Sequence, residues 1–495
     1  MDSQYDKKAV IKYLAMALFA ILIWKVTSGL GSLLVSLFVI IAVMREKPIE
    51  MLFWVLFMTY TSAGNRQLLV ANIVSVTTMR ATLMLLTLML VARLFSGGRE
   101  SRMMTPFWGL MFYIVWECIV SAQGFSPGVS YLKLLLFFSV FLSMYGVANT
   151  VNRSARTNAK ILRSAILAII TLIIIGSVAI IPIPSLSLMT DKGAIEAMLA
   201  GEIVSLFQGM TSHSQVMGPM AGIIGTFVFA DLAFSIKKWD KFYLLLLICC
   251  PLLIYKSSSR TGMGTFIAGC GMVSFLVMRA KGLGHDWKGK LLMSINTLVV
   301  CGAIAVCVLP GARDKIAEFA LKWKGDKRQE TVTVEGMLKS RQSLIDEAVM
   351  NFKAKPLMGN GFQVSAAMQH QKRTRFVDYL TAPIEKGVWI YAIPEEGGIV
   401  GMVLFCGWLL VLFSLLISRH AYIGASVFFA FLVSNFGEFS MFSMSYIGGI
   451  YWTLVFAAIC LDVQRMKSSE IPVFFVPIEQ VMEEVGEEEW TRLQG

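Results

Sequence analysis

Arg260 closes the run Ser257-Ser258-Ser259 and is followed by Thr261-Gly262, with an apolar stretch on either side. A guanidinium in that position has no loop to escape into. Held at depth and flanked by three hydroxyls, among them the adjacent Ser259, it suits a phosphate or pyrophosphate. Its planar fork of N–H donors meets such an anion's oxygens in pairs. Lys256 stands four residues before Arg260, and on a continuous helix the two cations share one face. A lysine at the end of an apolar run also simply snorkels toward headgroups. Arg341 is a second candidate clamp. It starts the segment Ser340–Phe352, whose apolar stripe is Leu344, Ile345, Ala348, Val349 and Phe352, so it begins on the packed face of an amphipathic helix. A structural ion pair and a phosphate contact are both open to it. Pro356, Gly359 and Gly361 then end that helix.

Proton chemistry has fewer candidates. Glu385 follows Pro383 and precedes Lys386-Gly387 in a turn. Burial there would raise its pKa and let it accept a proton from a hydroxyl nucleophile; a solvated turn carboxylate is the plainer alternative. Of the four histidines, His285 and His420 fall in loops of topological character. His213 opens an apolar run, His370 sits in a polar block, and each is a candidate base or hydrogen-bond donor. Glu395 and Glu396 stand at the start of another apolar run, where carboxylates favour the helix dipole. No paired histidine or histidine–carboxylate spacing argues for a metal. The eight cysteines all lie in apolar segments and read as small buried hydrophobes.

The elements that must position these groups are apolar helices. Hydrophobic residues make up 56% of the chain and charged ones 15%, which leaves no water-facing surface over most of it. The expected fold is all-α, a polytopic helical bundle of twelve to fourteen transmembrane helices forming one domain over residues 1–467. The fourteen spans are 11–27, 29–44, 50–63, 76–95, 106–122, 130–149, 161–182, 216–236, 241–257, 261–279, 290–310, 395–418, 421–437 and 443–463. The first is a membrane span and not a cleaved leader, since no small-residue cleavage site follows it.

Basic residues follow the even-numbered spans, as with Arg153, Arg156, Lys160 and Arg163 after the sixth. That pattern puts both termini in the cytoplasm. The net charge of +12 therefore sets topology and is no nucleic-acid footprint. A large polar loop, 311–394, and a smaller one, 182–215, then lie outside, the smaller with room for an interfacial helix over Met198–Phe207. The tail 468–495 is acidic and solvated.

Four segments, in this order, resemble the family of bacterial O-antigen polymerases and O-antigen ligases, polytopic inner-membrane glycosyltransferases of the GT-C kind. Gly209–Gly218 is similar to a weaker segment before an earlier span. Ser257–Gly262 looks like the family's serine-arginine turn between two spans. Ser340-Arg341 followed by Pro356-Leu357-Met358-Gly359-Asn360-Gly361-Phe362 looks like its loop helix and glycine-rich turn. Glu396–Gly401 resembles the E-x-G-x-x-G start of the next span.

The resemblance implies a reaction. A hydroxyl of one glycan attacks the anomeric carbon of an oligosaccharide carried on undecaprenyl pyrophosphate, and the carrier pyrophosphate leaves. By match, Arg260 and Arg341 hold the pyrophosphate. Lys256, Ser259 and His213 complete the expected binding set. No cofactor and no metal is expected. The implied partners are the lipid-linked donor, a glycan acceptor, the bilayer, and chain-length regulator or export proteins.

In ligase-like members a histidine stands nine residues before the span-start glutamate. Here that position is Gly387, which leaves Glu385 and His370 as the candidate bases and tilts the reading to polymerase. A ligase acting on a lipid A core is the first alternative. A polysaccharide transporter or flippase is one of another class; it calls for ionisable residues within the spans and for broken helices.

Overall fold

In the computed structural model the regular elements among the described residues are all helices, and the only strand-like pairs are two isolated bridges, Gly64 with Thr211 and Leu188 with Phe207. The structure describes residues 5–27, 48–65, 67–68, 105–189, 207–234, 240–281, 342–364, 388–437, 439–443 and 447–463, with six further positions between 37 and 45. The expected spans 76–95 and 290–310, most of 29–44, and the acidic tail fall outside these residues. So does the expected interfacial helix, save for Phe207, which pairs in a bridge instead.

The helices are α1 (Lys7–Thr27), α2 (Pro48–Ala63), α3 (Thr105–Ser121), α4 (Pro127–Ala179), α5 (Ser214–Phe234), α6 (Lys241–Lys256), α7 (Arg260–Lys281), α8 (Gln342–Ala354), α9 (Trp389–Ser418), α10 (Tyr422–Ser434) and α11 (Ile447–Val463), with one short turn of helix at Pro184–Ser187. Among the described residues five stretches are long and apolar enough to cross a membrane: α1, Lys160–Ala179 of α4, α5, Arg260–Ala280 of α7, and α9. Five more apolar helical stretches are shorter.

The described loops gather at two ends of the bundle. One end gathers the N-terminal segment, where the Asp6 N–H donates to Ser164 Oγ at 2.9 Å, with the close of α5 and the starts of α6 and α10. There Asp462 of α11 accepts the Ile423 and Gly424 N–H groups at 3.1 and 2.8 Å, capping α10. Tyr5 packs on Phe242 and Tyr243 at this end, and burial, then the Asp240 carboxylate, push its phenol up to about 12. At the other end Asn65 Nδ2 binds Leu186 O and Gly209 O at 2.6 and 2.7 Å, and Tyr60 donates to Met210 O at 2.9 Å.

Helix α4 departs from expectation. The two spans read at 130–149 and 161–182 are one helical run of 53 residues. A straight run of that length would extend about 80 Å. Yet Lys133 reaches Gln363 O at 3.0 Å and Ser177 Oγ accepts the Met210 N–H at 2.9 Å, both at the same end, while Arg163 lies at the opposite one. The run therefore turns back, and its arms are Pro127–Leu142 and Lys160–Ala179. The connection stays helical because it holds no proline and a single glycine, Gly146; charge alone does not end a helix.

Arg163 is a second correction. Read as a loop cation that sets topology, it is buried, and its guanidinium grips Asp231 of α5 through Nε at 2.8 Å and Nη2 at 3.1 Å. Tyr243 of α6 donates to the same carboxylate at 2.6 Å, so one ion pair joins three helices.

Helix α5 is the centre. Every residue in it except Gln215 is buried. Its glycines at 218, 222 and 225 recur at helical spacing and form one face, against which Gly262, Thr265 and Phe266 of α7 sit. A Cβ at Gly218 would strike Ser259, and one at Gly262 would strike the Gly218 backbone. Apolar helices gain little from hydrophobicity when their surroundings are equally apolar, so close backbone approach of this kind drives their packing.

Candidate functional site

The serine-arginine turn is built by two helix ends. Helix α6 stops at Lys256, and Ser257 closes it with its N–H on Leu253 O at 2.9 Å. Ser258 takes the left-handed conformation, φ 50°, which reverses the chain. Ser259 then caps α7: its Oγ accepts the Gly262 N–H at 3.0 Å.

Two expectations change here. Lys256 and Arg260 do not share a face of one helix, since the turn parts them; Lys256 is the exposed last residue of α6 and Arg260 the half-exposed first residue of α7. The Ser259 oxygen is engaged as a cap and positions the turn. Arg260 gains something instead, because it sits at a helix N-terminus, where backbone N–H groups and the helix dipole add to its attraction for an anion.

His213 lies one residue before α5, and its Nδ1 accepts the Gln215 N–H at 3.2 Å. It too is a helix cap. Protonation at Nδ1 would cost that bond, which argues against this nitrogen as a base. Because α5 carries Gly218 against Ser259, the Gly209–Gly218 and Ser257–Gly262 segments meet as one packed unit.

A second unit forms where helix α9 breaks. Gly398 has φ 65° and ψ −167°, with Pro394 one turn before it. A broken helix frees backbone groups that must find partners. The turn after α8 supplies them. Asn360 N–H donates to Glu395 O and Glu396 O at 2.9 and 3.0 Å, Gly361 N–H to Glu396 O at 3.0 Å, and Ile399 N–H to Pro356 O at 2.9 Å. Trp116 Nε1–H of α3 donates to Gly397 O at 2.7 Å. Gly359, at φ 73°, has no room for a side chain, since a Cβ there would meet the Glu396 carbonyl; a Cβ at Gly398 would meet Leu357 O. The glycine-rich turn and the E-x-G-x-x-G segment are thus two halves of one contact.

Glu395 and Glu396 are not first-turn carboxylates as expected. Helix α9 starts at Trp389, and both are buried in its interior. Asn351 Nδ2 of α8 donates to Glu395 Oε1 at 2.9 Å. Glu117 of α3, wholly buried, packs its carboxyl against Gly397 and Gly401, with the Tyr113 hydroxyl beside it and Glu396 close by. Sequence reasoning passed over Glu117 and the buried Lys133. The signal was a lone charge inside an apolar run.

The two units touch through the turn after α10. Asn435 O accepts the Trp389 N–H at 3.3 Å, and Gly437 lies so close to Thr261 that a Cβ there would strike its hydroxyl. The Asn435 side chain organises that turn by accepting the Ser440 and Met441 N–H groups at 2.8 and 2.9 Å. Arg260, the glycine turn and the two glutamates therefore share one end of the bundle. Arg341, His370, Glu385 and Gly387 lie outside the described residues. Among those described, no group of three or more His, Cys, Asp or Glu could hold a metal ion. No protein-family model matches the chain, and no curated protein matches it.

Proposed function

We propose that the protein is a membrane-embedded glycosyltransferase that polymerises undecaprenyl-pyrophosphate-linked oligosaccharide repeat units on the outer face of a bacterial inner membrane. The observation that carries this reading is the pairing of the four family-like segments. Their described residues form two packed units at one end of the bundle, joined through Asn435–Gly437, with Arg260 at a helix N-terminus in one of them.

The acceptor hydroxyl attacks the anomeric carbon of the donor, the new C–O bond forms, and the bond from that carbon to the pyrophosphate oxygen breaks. Arg260 and Arg341 hold the charge that builds on the leaving pyrophosphate. Glu385 or His370 takes the hydroxyl proton. A ligase differs only in the acceptor.

One observation favours a transport class instead. The break in α9 at Gly398, beside buried Glu395, Glu396 and Glu117, is the kind of discontinuous helix that transporters use. A single assay separates the two. Purified protein in liposomes receives a lipid-pyrophosphate oligosaccharide with no nucleotide sugar. Longer lipid-linked chains are the expected product. Movement of the substrate across the bilayer with no new glycosidic bond would overturn the enzyme reading.

A further inference from the structure

Helix α8 meets α9 with only part of its apolar stripe. Ile345 and Ala348 are buried, but Val349 and Phe352 are only half-buried. Between these two helices runs a groove of about 430 Å³. Its walls are Ala348, Val349 and Phe352 on one side and Ile390, Pro394 and Ile399 on the other, and Lys353 lies at its edge. The groove exists because Pro394 and Gly398 interrupt α9 just where α8 crosses it.

Three features say what fits there. The lining is apolar apart from Lys353 and the Tyr391 hydroxyl, so the groove offers a ligand little hydrogen-bonding pattern to match. It continues into a stripe of exposed apolar side chains on α9, namely Ile399, Val403 and Leu410, which are 51, 65 and 69% exposed. Those positions recur every four to seven residues on a helix long and apolar enough to cross a bilayer. Finally, a partner helix is about 10–12 Å across with its side chains, more than a groove of this size receives, whereas a single hydrocarbon chain is slim enough to enter. Lys353, exposed in the last turn of α8, adds a cation at the edge, and basic residues at a membrane surface attract anionic headgroups.

We infer that this groove holds one acyl chain of an anionic bilayer phospholipid, with the phosphate against Lys353. The inference rests on the membrane reading above and not on glycosyl transfer. A chain seated there fills the gap between α8 and α9 and so supports the glycine turn that completes the break in α9.

The test uses full-length protein reconstituted in vesicles of phosphatidylcholine and phosphatidylglycerol, in which the phosphatidylglycerol carries a photoreactive acyl chain. After illumination, labelled peptides are mapped. Labelling is expected at Val349 and Phe352 as well as at Val403 and Leu410. Val349→Trp, which fills the groove, should remove the label from α8 and leave it on Val403. Lys353→Glu, at an exposed site, should lower α8 labelling about fivefold with the phosphatidylglycerol probe and leave it unchanged with a phosphatidylcholine probe.

Label on Val403 and Leu410 with none on α8 would overturn the groove as a lipid site. So would α8 labelling indifferent to both substitutions. Displacement of the α8 label by a stoichiometric polyprenyl phosphate would overturn phospholipid as the occupant. No label on α9 at all would overturn the membrane reading itself.

Discussion

Replacing Arg260 by alanine removes a guanidinium and leaves Ser259 on the Gly262 N–H and Gly218 against Gly262. Transfer by Arg260→Ala should fall about 100- to 1,000-fold, as for loss of one charge-stabilising donor, while the purified protein remains folded in a thermal melt. Wild-type rates in that variant would remove Arg260 from the mechanism. Ser259→Ala should behave the other way, losing about 1 kcal/mol of stability as a cap with a small change in rate. Arg163 makes a contrasting case at the opposite end. Arg163→Ala strands the buried Asp231 carboxylate, and breaking such a pair costs roughly 3–5 kcal/mol. A sharp fall in the melting temperature, eased by adding Asp231→Leu, is the expected readout. The sequence showed both arginines but ranked them by place alone. Arg260 stood out because it interrupts two apolar runs; Arg163 was hidden in a basic stretch that looked like any topogenic loop, and its partner lies 68 residues on.

Among the elements, the contact between the turn after α8 and the break in α9 decides whether the glutamates stay in place. Asn360 is its hinge, since its backbone N–H and Nδ2 serve Glu395 O, Glu396 O and Asn351 O. Asn360→Ala keeps the backbone bond but loses the side-chain ones, leaving a buried carbonyl without that donor at a cost on the order of 1–3 kcal/mol. Hydrogen exchange should report it, with faster exchange at Gly361 and Ile399 and none of the change reaching α5. Unaltered exchange at those two amides would mean that the turn is held by something else. Both glycine segments were legible as motifs, and their glycines are explained by close backbone approach. What the sequence could not say is that they complete one another. Periodicity reports which face of an element is apolar, not which distant element supplies the donors for a broken helix. For the same reason Glu395 and Glu396 read as first-turn residues: the run Trp389–Pro394 ahead of them ends in a proline, a stop signal that this helix overrides.

For the molecule as a whole, composition was enough for an all-α helical fold. It was not enough for the interior. Helix α5 is buried on all sides and α9 only in part, yet α9 has the higher mean hydropathy, 2.6 against 1.6, so hydropathy alone does not pick out the central helix. Only the glycine stripe of α5 distinguishes it, through close packing. The orientation proposed for the bundle from its basic loops has a direct consequence. Met350, 64% exposed on α8, belongs to the end proposed to face outside, and Lys8, exposed at the start of α1, to the end proposed to face the cytoplasm. The described native cysteines are buried or half-buried, so a membrane-impermeant maleimide should find little to react with among them. In intact cells with the outer membrane opened, Met350→Cys should be labelled at once and Lys8→Cys only after the inner membrane is permeabilised. The reverse order would invert the bundle and put Arg260 and the glycine turn on the cytoplasmic side. That outcome would remove the lipid-linked donor from reach and end the proposed reaction, whatever the fate of the individual residues.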